Sequence, residues 1–114
     1  MQAEKILFYN GKKGYVRRTG DIVCVEARGH RTIIHTLTGT YSCGATLKRW
    51  EAQLSENCFL KTNRSFIVNL SFVESYDEHQ VWLEAGGRKI TALVSARSCY
   101  KKLREELENY YDSP

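Results

Sequence analysis

The chain has 114 residues, 42% of them apolar and 26% charged, with a formal net charge of +4 from 17 Lys and Arg against 13 Asp and Glu. That length and balance suit one folded domain with a modest core and exclude a natively disordered chain. No apolar run approaches the roughly 20 residues of a membrane-spanning helix. No charged-then-apolar leader opens the chain, so secretion is not expected.

In chain order, Ile6 to Tyr9 and Tyr15 to Arg17 read as a short hairpin, with the Asn10-Gly11 signal near its turn. Asp21 to Glu26 and Arg31 to Leu37 form a second pair. Gly29 supplies a positive φ in their connection and leaves His30 at its tip. Thr40 to Cys43 is a further strand. Thr46 can cap a helix whose Leu47, Trp50 and Leu54 share one face, with Lys48, Arg49 and Gln53 on the other. Strands follow at Phe59 to Leu60, Ser65 to Leu70, Val73 to Tyr76, Val81 to Ala85 and Lys89 to Leu93. Ala96, Tyr100, Leu103, Leu107 and Tyr110 then recur at helical spacing, so Ser95 or Ser98 is expected to cap a C-terminal amphipathic helix. Many short strands and two helices predict a mainly β, single-domain chain over residues 1–114.

Four cysteines, Cys24, Cys43, Cys58 and Cys99, are far apart and form no CxxC. No structural zinc and no other metal or cofactor is expected, and four reduced thiols fit a reducing cytoplasm. Cys24, inside an apolar strand, reads as a small buried hydrophobe. His35 shares strand parity with Ile33 and Leu37 and reads as a packed or edge histidine. Between Arg28 and Arg64 six basic residues meet only two acidic ones, Glu51 and Glu56. That excess suits a phosphate-facing surface.

The run from Phe59 to Asn69, FLKTNRSFIVN, is the most informative segment. A polar, basic cluster enters a strand of aromatic and β-branched residues, so long polar side chains sit at the mouth of a rigid element. Arg64 can donate in parallel to guanine O6 and N7, and Asn63 offers the donor and acceptor that adenine's N6/N7 edge needs. The same residues also fit a solvated strand entry. His30 beside Arg31 can hydrogen-bond a base or phosphate, or simply be an exposed turn residue. Lys48 and Arg49 can touch phosphate or be solvated. In the last helix Arg97, Lys101 and Lys102 precede Glu105, Glu106 and Glu108, against the macrodipole preference. A basic helix start with free N–H groups is a seat for phosphate.

These stretches, with DIVCVEARGHRTIIHTLTG (21–39), ATLKRWEAQL (45–54) and VSARSCYKKL (94–103), give the chain its family likeness. From about Asp21 to Leu107 it resembles the LytTR family of bacterial DNA-binding domains, the output domains of many response regulators. The resemblance implies elongated antiparallel β-sheets with one short internal helix and a C-terminal amphipathic helix. It places the core at about 21–111, behind a short N-terminal hairpin, and implies DNA binding through loops rather than a recognition helix. His30, Asn63, Arg64 and Arg97 are the expected base contacts, His30 and Arg97 among them by the resemblance, and Arg31, Lys48, Arg49, Lys61, Ser95, Lys101 and Lys102 are the expected phosphate contacts. The family commonly has His where this chain has Asn63. The implied partners are double-stranded promoter DNA, an attached receiver domain and a second protomer on DNA, with no membrane.

Other classes are a small β protein-interaction domain using Tyr76 and Trp82, and a single-strand RNA binder, which needs an exposed aromatic platform. An enzyme is not expected, because no nucleophile–base pair, metal set or glycine-rich phosphate loop is visible.

Overall fold

A computed structural model describes residues 5–54 and 58–114. Ten strands and two helices follow one another as β1 (Lys5–Asn10), β2 (Lys13–Arg18), β3 (Ile22–Arg28), β4 (Arg31–Thr36), β5 (Gly39–Cys43), α1 (Leu47–Leu54), β6 (Phe59–Asn63), β7 (Phe66–Asn69), β8 (Val73–Tyr76), β9 (Gln80–Ala85), β10 (Arg88–Leu93) and α2 (Arg97–Tyr110). All pairings are antiparallel. A central sheet of order β5-β4-β3-β7-β6 lies between the β1–β2 ribbon and a three-stranded sheet of order β10-β9-β8. The result is mainly β and elongated, about 46 × 30 × 28 Å.

Each face of the central sheet carries its own core. On one side Ile22, Val25, Ile34 and Ile67 meet Phe8 of the ribbon and Leu47, Trp50 and Leu54 of α1. On the other, Val23, Cys24 and Val68 meet Val81, Leu83 and Ala92 of the small sheet and Leu103 and Leu107 of α2. Strict alternation cannot send Val23 and Cys24 to one side. A β-bulge between Ile22 and Cys24 does so, because it inserts a residue and turns the strand. Because both faces are covered, four successive residues, Ile22 to Val25, are all buried, and the bulge decides which core each one joins.

Thr46 caps α1 as expected: its Oγ1 accepts from the Arg49 N–H at 3.2 Å. The cap of α2 differs from expectation. Its N-cap is Ala96, which has no side chain to accept, while Ser98 lies within the helix and Ser95 one residue too early. The Ser95 N–H instead donates to the Thr62 carbonyl at 3.2 Å, which fixes where the helix starts. The expected apolar stripe of α2 holds at Leu103 and Leu107, is half-buried at Tyr100, and fails at its ends, where Ala96 and Tyr110 are exposed. Along α2, Arg104 and Glu108 close an i,i+4 pair at 2.9 Å.

Buried polar groups are partnered unevenly: Arg17 Nε, His35 Nδ1 and Thr62 Oγ1 have no hydrogen-bond partner among the described residues, whereas Asn69 is fully engaged. Asn69, fully buried, donates to the Ile22 carbonyl at 2.8 Å and accepts from Ser71 N, Ser71 Oγ and Cys58 Sγ. His35 is packed, its side chain 12% exposed, with Nε2 3.0 Å from Glu26 Oε1. Cys24 is buried as expected, and that burial, reinforced by Glu26, pushes its thiol up to about 12.

Candidate nucleic-acid interface

Hydrogen bonding assembles the candidate residues at one end of the central sheet. β3 turns into β4 through Gly29 and His30, with Arg28 paired opposite Arg31. Gly29 has φ +59°, the geometry of a type II′ turn with glycine at its first corner. His30 takes the second corner and is exposed.

Beside it, β6 turns into β7 through Arg64 and Ser65. Neither has positive φ, so this turn is of the unprimed kind, which splays strands. Two devices accommodate that. A bulge between Lys61 and Asn63 inserts Thr62 into the ladder. The Asn63 Oδ1 accepts from the Ser65 N–H at 2.6 Å, a side chain standing in for a turn's backbone acceptor. Arg64 is left exposed at the corner. The Ala27 N–H donates to the Ser65 carbonyl at 2.8 Å and locks this turn to the end of β3.

The third piece is the connection from β10 to α2. Asn63 Nδ2 donates to the Leu93 carbonyl at 2.6 Å, and the Ser95 N–H reaches the carbonyl of Thr62. Arg97, the first residue of α2, follows and is exposed, with no acidic residue in that first turn. His30, Arg64 and Arg97 are therefore carried by three turns joined through backbone and Asn63 bonds. Asn63 itself has both ends of its carboxamide engaged within the protein, which makes it a brace between two of the turns.

The remaining residues flank this edge. Arg31 is exposed but held, with Nε 2.8 Å from Ser42 Oγ and Nη2 3.3 Å from Asn10 Oδ1. Lys48 and Arg49 are exposed on α1, whose start is fixed here by Thr32 Oγ1 donating to the Ala45 carbonyl at 2.6 Å. Lys61 lies 3.9 Å from Glu51, a half-exposed pair worth about 0–1 kcal/mol that DNA could replace. Lys101 and Lys102 are exposed one turn into α2, and the Ser95 hydroxyl stands 3.6 Å from Cys99 Sγ. Glu26, on the strand that leads into the His30 turn, is only 16% exposed in its side chain and accepts from Arg28 at 2.7 Å.

Two residues here were not picked out from the sequence. Arg28, paired with Glu26, precedes the His30 turn. His79 sits in the β8–β9 turn, and its carbonyl accepts from the Val94 N–H, which places the turn against the β10–α2 connection. Asp77 Oδ1 caps that turn by accepting from His79 N and Gln80 N, and those bonds hold its carboxyl below the usual range. The Asp-x-His spacing was the available signal. Tyr76 and Trp82, the surface imagined for a protein-interaction domain, are half-buried, and Tyr76 packs 6.1 Å from Tyr100.

Among the described residues no group of His, Cys, Asp and Glu is placed to hold a metal ion. Nor is any helix long and apolar enough to cross a membrane.

Comparison with known proteins gives the family and the fold. The model of the LytTr DNA-binding domain matches residues 12–108, so the match starts in the β1–β2 turn, earlier than the Asp21 expected from the sequence. The chain is 30% identical over 98 residues to the sensory transduction protein LytR of Staphylococcus haemolyticus, covering 82% of this chain and 37% of that protein. It is 26% identical over 110 residues to the transcriptional regulatory protein NatR of Bacillus subtilis, covering 94% and 45%. It thus spans less than half the length of these relatives. A solved LytTr DNA-binding domain from Bacillus cereus superposes with a TM-score of 0.72 at 19% identity, over 92% of this chain and 97% of that one, which shows the shared fold. With the family model covering most of its length, the chain belongs to the LytTr DNA-binding domain family.

Proposed function

We propose that this chain reads double-stranded promoter DNA sequence-specifically on behalf of a bacterial transcription regulator in the cytoplasm. His30, Arg64 and Arg97 enter successive grooves and donate to base edges. Asn63 supports them by bracing the Arg64 turn against the strand that leads to Arg97. Arg31, Lys48, Arg49, Lys61, Ser95, Lys101 and Lys102 hold phosphates and set the register, with the open N-terminus of α2 adding backbone donors. The carrying observation is the joining of three exposed turns at one sheet end through Ala27–Ser65, Asn63–Leu93 and Thr62–Ser95.

Rigid loops that reach more than one groove favour a bent duplex, at a cost on the order of 1–6 kcal/mol offset by the added contacts. Two copies would occupy repeated half-sites about one helical turn apart. The relatives' greater length supports a further domain, such as a receiver, bringing the copies together. Counterion release tests the proposal: about six neutralised phosphates predict a log-affinity against log-salt slope near −5. A slope shallower than about −2 would remove DNA binding as the main activity.

A further inference from the structure

We propose that the β1–β2 turn, led by Lys12 and Lys13, is a further phosphate-contact point, on the DNA flanking the base pairs that His30, Arg64 and Arg97 read. This rests on the DNA-reading proposal above and extends it to a segment with no role there.

The turn sits at the reading end. Asn10, the last residue of β1, accepts from Arg31 at 3.3 Å, and Arg31 directly follows His30. Arg31 thus links the ribbon's turn to the flank of the reading hairpin. The two turns also share their geometry. Gly11 has φ +62° and Gly29 +59°, each followed by one corner residue before the next strand. Lys12 therefore holds the place in its turn that His30 holds in the other, and it is exposed. A Cβ built on Gly11 meets nothing within 4 Å, so the turn faces open space.

Among the described residues no carboxylate pairs with the charge of this turn. From Lys5 to Gly20 the chain has five cations, Lys5, Lys12, Lys13, Arg17 and Arg18, and no carboxylate. Arg17 is taken up internally, between the Tyr15 and Tyr41 rings and bonded to the Tyr41 hydroxyl at 2.8 Å. Lys13 rests with its ammonium 5.2 Å from the Tyr15 ring centre, which steadies the stem without neutralising the charge. The groove between β1 and α1 adds Lys5, Arg31 and Arg49, again without a carboxylate among the described residues. A rigid, outward-facing cationic turn beside other phosphate-facing cations fits a polyanion.

Spacing makes that polyanion the same duplex. β6 and β5 stand four strand intervals apart in the central sheet. At ~4.8 Å each that is roughly 19 Å, or about six base pairs at ~3.4 Å. The ribbon lies against the β5 side, where Phe8 packs on Tyr41 with ring centres 5.8 Å apart. Its turn then meets the backbone just outside the read base pairs. An acidic protein segment in the same groove is the competing occupant, and it predicts no effect of the turn on DNA.

The test uses the whole chain on a selected duplex and on a version trimmed on the ribbon side. K12Q/K13Q should make the salt slope on the full duplex shallower by about 1.8, two phosphates' worth. It should weaken binding several-fold at low salt and leave base preferences unchanged. K12Q alone should give half that change, K12R/K13R should restore the slope, and trimming should bring the unaltered protein to the K12Q/K13Q level. An unchanged slope in K12Q/K13Q, or an equal loss on both duplexes, overturns this inference while DNA reading stands. A slope shallower than about −2 for the unaltered protein on every duplex overturns both.

Discussion

Replacing Asn63 separates a brace from a base reader. Its carboxamide makes two short bonds, both 2.6 Å, to Ser65 N within its own turn and to the Leu93 carbonyl thirty residues away. Each such bond contributes about 0.5–1.5 kcal/mol net, and at a partly exposed site water recovers some of it. Asn63→Ala should therefore cost about 1–2 kcal/mol. At ~4–8 °C per kcal/mol that lowers the melting temperature by roughly 4–16 °C. Asn63→Asp keeps the acceptor for Ser65 but turns a carboxylate towards the Leu93 carbonyl and towards DNA phosphate, so it should bind DNA more weakly than the Ala variant. The assay pairs thermal melts with competition binding on duplexes substituted one base pair at a time. A brace lowers discrimination together at the base pairs read by Arg64 and Arg97, and double-mutant cycles with Arg64→Ala and Arg97→Ala should show coupling. An unchanged melting temperature with relaxed selectivity at a single base pair would refute this reasoning and make Asn63 a direct reader.

Arg64→Ala should lose about 1–3 kcal/mol on its selected site and much less on unrelated DNA, whereas Lys101→Ala should weaken both alike. If band shifts show the two variants behaving the same, the division into readers and holders is wrong. Iodoacetamide at pH 8 should label half-buried Cys58 and Cys99 in the folded chain and reach buried Cys24 and Cys43 only on unfolding; mass spectrometry reads the result. A thiol raised to about 12 favours the folded state fully below its ordinary 9.0, so that contribution fades as pH rises from 9 towards 12. Melts across that range should fall, and Cys24→Ala should flatten part of the fall. The free chain should sediment as a monomer, because the apolar face of α2 is used in its own core, with Leu103 and Leu107 buried; a stable dimer without DNA would contradict this.

Local chemistry made much of the fold legible. Asn10-Gly11 and Gly29 mark tight turns because only glycine takes positive φ cheaply. The Leu47, Trp50 and Leu54 spacing marks the buried side of α1. What stayed hidden depends on contacts between distant segments. Period-2 alternation gives no sign of the bulges at Val23 and Thr62, since an inserted residue changes the facing only once the partner strand is known. A serine near a helix start reads as a cap, yet the bond from the Ser95 N–H to Thr62 sets the boundary of α2 and leaves Ala96 in that place. Arg64 and His30 could be chosen as exposed corners from their own turns. The bracing by Asn63 could not, because its partner carbonyl lies thirty residues on.

The central claim is that the joined turns of His30, Arg64 and Arg97 read DNA sequence, and selection from random duplexes tests it most directly. The chain is titrated onto a random-sequence duplex pool in a band shift at fixed salt, and the bound fraction is sequenced over successive rounds. One enriched motif is expected, with preferences that relax at separate base pairs when Arg64 and Arg97 are changed singly to Ala. A bound pool no different in sequence from the input, at salt where binding is still measurable, would contradict it.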